Sequence, residues 1–344
     1  MSDQSYSGVG YRVREACPRA SALAMNKKGE IMPPEAILVP LDGSVVAEYG
    51  LHAASKVAVE TGAALSLLYA IPFTATAGAD ERDAQRKAMR EARNYLDYTQ
   101  STLEQRRIAT TARVLPGDPA AAILFAAEEP GISLISMATR GRGGMRRTLR
   151  GSVAESVLQG SVCPLLLSQA GRWSNPLTPR PFARILLALD GTSFAEAAVT
   201  FVATSGIGRV GEIILVQVVQ PEVLAETPLS TPRPELDQAQ QLADRHTEWY
   251  QHAAEKYLRD IAAGRLADRH FETSVQVGEP AHGILEVAQE KAVDLIVVAT
   301  HARHGIDRAL HGSVVHHLLN QIDAPVILLH GLSEGKETDH RGAV

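Results

Sequence analysis

The chain carries one unit written twice. Ala36–Ser44 reads AILVPLDGS and Arg184–Thr192 reads RILLALDGT, which sets Asp42 and Asp190 148 residues apart. Four later matches keep a common offset of 161: Gly117-Asp-Pro119 with Gly278-Glu-Pro280, Ser133–Thr139 with Asp294–Thr300, Gly151-Ser-Val153 with Gly312-Ser-Val314, and Cys163–Leu167 with Ala324–Leu328. An ordered set of matches at a fixed spacing means a duplicated folding unit, so any fold assigned to one copy must serve the other. The second copy holds 13 more residues, which fall between Val219 and Val275. The Pro/Thr/Glu-rich stretch Pro221–Leu236 is expected to take them up as a surface loop.

Within the first unit, short apolar runs alternate with longer amphipathic ones. Strands are predicted over Ile37–Leu41, Ala64–Ile71, Thr111–Leu115, Leu134–Ala138 and Pro164–Ser168. Helices are predicted over Ser44–Thr61 with a stop at Gly62, Asp80–Arg107, Pro119–Glu128 with proline at its first turn, and Ser152–Gln159. Strands separated by helices require right-handed crossovers and a parallel sheet covered on both faces. The fold class expected is therefore α/β, with two tandem doubly wound domains of five strands each. Residues 1–35 are polar and without period and read as a flexible arm. The domains span 36–170 and 183–330, a Pro-rich linker covers 171–182, and 331–344 form a polar tail.

Composition narrows the function. Hydrophobic residues make up 45% of the chain and two cysteines are too few for a disulfide framework or a Cys-rich zinc site, which fits a soluble cytoplasmic protein. No apolar run reaches the roughly 20 residues that span a bilayer, and the first 30 residues lack the apolar core of a secretory signal, so no membrane partner is expected. Net charge is −5, unevenly spread: 14 basic against 13 acidic residues over 36–170, and 11 against 19 over 183–330. The copies share a size but not a surface.

Ligands of an open parallel sheet bind beyond the carboxyl ends of its strands. Three features of each copy collect there: the acid closing the first strand (Asp42, Asp190), the segment after the fourth, and the Gly-Ser opening the last helix (Gly151-Ser152, Gly312-Ser313). The first copy reads ATRGRGGMRRTLRGS, with five arginines and no acid between 138 and 151. Glycines admit backbone N–H groups close to an anion, and a helix N-terminus adds unpaired donors and a positive dipole end, so this is a plausible phosphate cradle. It is neither a P-loop nor the dinucleotide fingerprint, whose spacings are absent. The same residues also suit plainer roles: Asp42 and Asp190 as turn or cap residues, Ser152 and Ser313 as N-caps, and the arginines as a solvated or partner-binding face. Nucleic acid is not expected there, because no aromatic residues interleave with the arginines to stack bases. In the second copy His301, His304, His311, His316 and His317 crowd the corresponding region, without the spacing of a metal site.

The strand-one VPLDGS, the Gly-x-Pro turn and ATRGRGGMRRTLRGSVAESVL with CPLLL together resemble the universal stress protein family in tandem form, over about 280 of the 344 residues. The resemblance implies the adenine nucleotide alpha hydrolase-like fold and a pseudo-dimer in which Leu165–Leu167 and Val326–Leu328 pair antiparallel, with association of two whole chains as a further expectation. It also implies binding of ATP by a Gly-x2-Gly-x9-Gly-Ser/Thr motif; Asp42 could hold Mg²⁺ beside the phosphates, although a single carboxylate is a sparse ligand set. The first copy has Ala138-x2-Gly141-x9-Gly151-Ser152 and the second Ala299-x2-Ala302-x9-Gly312-Ser313, so the first keeps two of the three glycines and the second keeps one. By the same resemblance Asp42 and Asp190 contact the nucleoside, Ala70 and Val218 sit at the adenine-side end of the second strand, Met137 and Val298 line the adenosine, and Arg140 belongs to the phosphate loop. Ala302 costs about 1–2 kcal/mol if its position needs a left-handed backbone, which makes the first site the expected stronger one.

Three functions fit this pattern: a nucleotide-binding stress-response sensor or adaptor with an unidentified protein partner, an interaction scaffold that binds no nucleotide, and a slow ATPase. No Ser/His/Asp or Cys/His set recurs in the two copies, so catalytic residues are not assigned.

Overall fold

In strand β1 (Ala36–Leu41, AILVPL), Ile37, Leu38 and Val39 have no exposed surface. Such a run suits only a strand covered on both faces, where alternate side chains enter opposite cores. The computed structural model describes residues 34–72, 78–139, 153–161, 163–169, 180–220, 233–300 and 314–330. After β1 come α1 (Val45–Thr61), β2 (Ala64–Ile71), α2 (Ala79–Gln105), β3 (Thr110–Pro116), α3 (Pro119–Ala127), β4 (Ile132–Thr139), α4 (Val153–Gly160) and β5 (Leu165–Gln169). The second copy repeats the order as β6 (Arg184–Leu189), α5 (Glu196–Ser205), β7 (Glu212–Val219), α6 (Arg233–Arg265), β8 (His270–Val277), α7 (Pro280–Glu290), β9 (Leu295–Thr300), α8 (Val314–Gln321) and β10 (Val326–His330).

All ten strands join one sheet in the order β3-β2-β1-β4-β5-β10-β9-β6-β7-β8. Pairing is parallel inside each copy and antiparallel only at the seam, where Leu165, Leu166 and Leu167 face Leu328, Ile327 and Val326. The pseudo-dimer is thus built within a single chain, and the apolar strands at its centre cover each other's edges. One face of the sheet packs against α1, α2, α5 and α6 through Val57, Leu96, Val199 and Leu258. The other packs against α3, α4, α7 and α8 through Ile123, Val157, Ile284 and Leu318.

The seam carries a second set of contacts that is not symmetric. Lys56 of α1 lies 3.3 Å from Asp294 and 4.0 Å from the centre of the Phe182 ring. Asp294 in turn accepts from the Ala183 and Arg184 amides at 3.1 and 2.9 Å. Glu60 spreads its two carboxylate oxygens over two amides of the second half, those of Phe182 and of Gly208, the latter at 2.6 Å.

One sequence expectation needs correction. Arg233–Leu236, assigned to a surface loop, forms the first turn of α6, which runs 33 residues against 27 in α2. Pro234 does not break this helix, because proline is tolerated in the first turn, where its missing N–H has no intrahelical partner. The remainder of the stretch, 221–232, lies outside the described residues.

Candidate functional site

The order β3-β2-β1-β4-β5 puts the reversal of strand order between β1 and β4, which run parallel, and the residues after β1 stand at the carboxyl edge of the sheet beside it. There Asp42 Oδ1 accepts from the Ser44 amide at 2.9 Å, while Ser44 caps α1 by accepting from the Ala47 amide at 3.2 Å. Gly43 between them takes φ +77°, a left-handed conformation that glycine adopts without the steric penalty of a Cβ. The turn therefore presents the Asp42 carboxylate at the rim and aims the N-terminus of α1 the same way.

Beneath the turn lies a layer of aromatic side chains. Tyr69 donates its hydroxyl to the Asp42 carbonyl at 2.9 Å and meets Tyr95 of α2 edge to face, with centroids 6.3 Å apart. Tyr95 donates to Glu48 at 3.4 Å. Burial, followed by the charge of Glu48, pushes the Tyr95 phenol up to about 12, so it remains a donor at any physiological pH. A cleft of about 610 Å³ opens above these rings, lined by Asp42, Gly43, Tyr69–Pro72, Ala88, Glu91, Ala92, Tyr95 and Pro119. Ala88 and Ala92, one turn apart, give the cleft its depth, because larger side chains at those helical positions would fill it.

Of the residues assigned from the sequence, Asp42 and Ala70 line this cleft. Met137 does not: it is 7% exposed, and its side chain packs in the core facing α3 and α4. Its backbone is approached closely by α1 instead, since a Cβ on Gly50 would come 3.0 Å from the backbone at Met137 and Ala138. Ala138 is half-buried at the end of β4, where it pairs with Ser168 of β5. Val298 is buried like Met137, and Ala299 is half-buried in the second copy. Arg140, Gly141, Gly151 and Ser152 lie outside the described residues, as do Ala302, Gly312, Ser313 and the histidines 301, 304 and 311.

The second copy rebuilds the turn with different chemistry below it. Asp190 Oδ1 accepts from both the amide and the hydroxyl of Thr192, at 2.9 and 2.6 Å, and Gly191 takes φ +84°. The position of Tyr69 is held by Gln217, each opposite the last residue of its neighbouring strand (Leu41 and Leu189). Tyr257 stands where Tyr95 stands, but its neighbour Glu196 is engaged by Arg265 at 2.5 Å. Burial, then Glu196, pushes Tyr257 up to about 12 as well. Val218 is half-buried and packs on α7, where a Cβ on Gly283 would come within 3.0 Å of it.

Tyr69, Tyr95, Ala88, Glu91, Ala92 and Pro119 were not assigned to a site from the sequence. A usable signal existed for two of them: Ala88 and Ala92 are small residues four apart on an otherwise charged helix, a spacing that leaves a hollow on one face. Among the described residues no three His, Cys, Asp or Glu side chains gather as metal ligands, and no helix is long and apolar enough to cross a membrane.

Comparison with known proteins agrees with this architecture. The sequence profile described as Universal stress protein family matches residues 34–169 and again 181–330. A universal stress protein of Bacillus subtilis is 29% identical over 144 residues, covering 38% of this chain and 96% of that protein. One from Mycobacterium bovis is 28% identical over 198 residues, covering 57% of this chain and 61% of its own length. Among solved structures, a universal stress protein from Archaeoglobus fulgidus superposes with a TM-score of 0.59 at 19% identity, over 86% of this chain and 98% of that one. A protein of unknown function from Pseudomonas aeruginosa does so with 0.54 at 16% identity, over 86% and 92%.

Proposed function

The chain belongs to the universal stress protein family as two domains in tandem, and from that premise we propose that it is an adenine-nucleotide-binding sensor or adaptor whose first domain holds the stronger site. The observation that carries the reading is the cleft of about 610 Å³ at the carboxyl ends of β1, β2 and β3, with the Asp42 carboxylate at its rim. Its volume suits a nucleoside, and its walls combine apolar faces (Ala70, Ile71, Pro72, Pro119) with few polar groups, the usual make-up of a small-molecule site. Asp42 is placed to accept from a ribose hydroxyl or a base amino group. Ala70, Ile71 and Pro72 offer a flat apolar wall to the base.

The residues assigned to the phosphates are Arg140, Gly141, Gly151 and Ser152, which follow β4 in sequence, beside the Asp42 turn in the sheet order. Backbone amides freed by glycine and an excess of five arginines supply the donors and charge a triphosphate needs. Mg²⁺, where present, would be carried in by the triphosphate. The described part of the cleft offers two carboxylates, Asp42 and Glu91, fewer oxygen ligands than a dedicated magnesium cage requires. Nucleotide bound at Arg140–Arg150 would alter a surface presented to a protein partner, with hydrolysis at most slow.

A scaffold role without nucleotide has one observation in its favour. Trp249 and Tyr250 of α6 stack edge to face at 5.0 Å while 66% and 48% exposed, an aromatic pair of the kind enriched at protein interfaces. Isothermal calorimetry of the full chain with ATP separates the two. The sensor reading expects saturable binding, with ATP or a relative released when the freshly purified protein is denatured. No heat and no co-purifying nucleotide leaves the scaffold.

A further inference from the structure

The cleft of the first domain owes its opening to small residues on α2, and the matching helix of the second domain carries a ring in that place. The inner faces of α2 and α6 align at an offset of 162: buried Ala92 and Leu96 match buried Ala254 and Leu258, and Tyr95 matches Tyr257. At that offset Ala88, which lines the cleft, is matched by Tyr250. Positions 250, 254 and 257 share one helix face, as 88, 92 and 95 do. Each helix leads from the carboxyl edge of the sheet back to the start of the next parallel strand, so the earlier residue stands nearer the mouth. Helical side chains tilt toward the N-terminus, which directs the Tyr250 ring over that mouth. The atoms below it are closed off. Gln217, in the place of Tyr69, and Tyr257 both have side-chain oxygens that are shut off from solvent, whereas Tyr69 and Tyr95 border an open cleft. The Tyr250 ring is 48% exposed, as suits a ring lying across an opening with one side to solvent, and Trp249 meets it edge to face at 5.0 Å.

We propose that Tyr250 caps the second domain's cleft against nucleosides, so that one helical position, alanine in the first domain and tyrosine in the second, determines which half of the chain accepts the ligand. This rests on the nucleotide reading above and deepens it. To admit a base, the ring must swing off the surface it covers and give up its contact with Trp249, a cost the first domain does not bear. The cap acts on the nucleoside end of the ligand and is separate from the loss of glycines in the phosphate segment. Both differences point the same way, and the chain therefore holds one nucleotide, in its first half, at concentrations that leave the second half empty. The second domain keeps the Asp-Gly turn and the seam strands, and serves as the fixed half against which the first is held.

The test titrates the full chain by calorimetry with two probes, ATP and adenosine, the second of which makes no demand on the phosphate segment. Tyr250→Ala should strengthen the weaker step by about tenfold or more for both probes, a gain that misfolding cannot imitate. Adding Asp190→Ala to it should remove the gain and so assign it to the second domain. Tyr250→Phe, which keeps the ring, should keep the second cleft closed. The reciprocal change, Ala88→Tyr, should weaken the stronger step by about tenfold or more. Two equally strong sites in the unaltered protein overturn the proposal, as does a weaker step that Tyr250→Ala leaves unchanged for adenosine, or one that Tyr250→Phe strengthens as much as Tyr250→Ala does. Binding in the first domain with no gain from Tyr250→Ala removes the cap alone; no binding of either probe by any of these proteins removes the nucleotide reading and this inference with it.

Discussion

The first and second domains share a backbone plan and differ at the points where a ligand or a neighbour is met. Both begin with a buried strand, an aspartate, a left-handed glycine and a hydroxyl residue. In the first, the aspartate turn rests on a tyrosine that is hydrogen-bonded and stacked; in the second it rests on a glutamine whose oxygen is unpaired. The first domain also supplies Lys56 and Glu60 to the seam, while the residue at the offset of Glu60 in the second is Gly208, the very group Glu60 holds. Duplication preserved the elements that bury apolar surface, where any change leaves a cavity or strain, and released the rim positions, where a change alters only what is recognised.

The most drastic way to break the comparison is to separate the halves. Leu166 has no exposed surface and faces Ile327 across the seam. Leu166→Asp would place an unpaired carboxylate between the two apolar edge strands, with an expected loss of about 3–5 kcal/mol. Urea denaturation followed by far-ultraviolet circular dichroism reads the midpoint. A midpoint within error of the unaltered protein would mean that β5 and β10 are not paired in solution.

Asp42→Ala and Asp190→Ala ask which turn matters more for nucleotide. Losing one hydrogen bond to a charged acceptor costs about 1.5–3 kcal/mol, so Asp42→Ala should weaken ATP at the stronger site by roughly tenfold to a hundredfold at 1.4 kcal/mol per decade. Asp190→Ala should leave that stronger step intact. The capping bonds of Ser44 and Thr192 survive in each variant, which keeps the helix starts formed. Equal losses on the stronger step from both substitutions would contradict the ranking of the sites.

Much of this was legible before any coordinates. Apolar runs such as AILVPL and RILLAL are long enough and lack enough polar members to be anything but doubly covered strands, and the Asp-Gly-Ser/Thr that follows each fixes where the chain turns. Asp42 was singled out by its place at the end of the first strand and Ala70 by the family resemblance, and both line the cleft. The deeper wall of the cleft was not, because it comes from α2, a helix whose charged sequence advertises a solvated surface and hides Ala92, Leu96 and Leu103 on its inner face. Met137 illustrates the opposite difficulty. Strand alternation sends its side chain to the core facing α3 while its backbone lies against Gly50 of α1, and the family resemblance names the residue without saying which part of it faces a ligand. The asymmetric seam was also hidden, since Lys56 and Asp294 are 238 residues apart in sequence and the partners of Glu60 are backbone amides, which carry no residue signature.

Glu60 gives the smallest expected effect and the most discriminating one for the asymmetry of the seam. One of its oxygens takes the Phe182 amide at the end of the linker and the other the Gly208 amide of the second domain, so Glu60→Gln keeps one acceptor and turns an amide donor toward the other N–H. A cost of about 1 kcal/mol is expected near neutral pH. Burial holds the Glu60 pKa above its ordinary value of 4.5, and the amides of Gly208 and Phe182 offset this only in part. A carboxyl whose folded pKa is raised binds its proton more tightly in the native state, so its contribution is greatest below 4.5 and declines as pH rises through the folded value. The stability difference between the unaltered protein and Glu60→Gln should therefore shrink across a window that opens at about pH 4.5 and closes above the raised pKa, and be flat on either side. Chemical denaturation of both proteins from pH 4 to 8 measures it. A difference that instead grows with rising pH through that window would mean that the two amides outweigh burial, and that the seam prefers the charged carboxylate throughout.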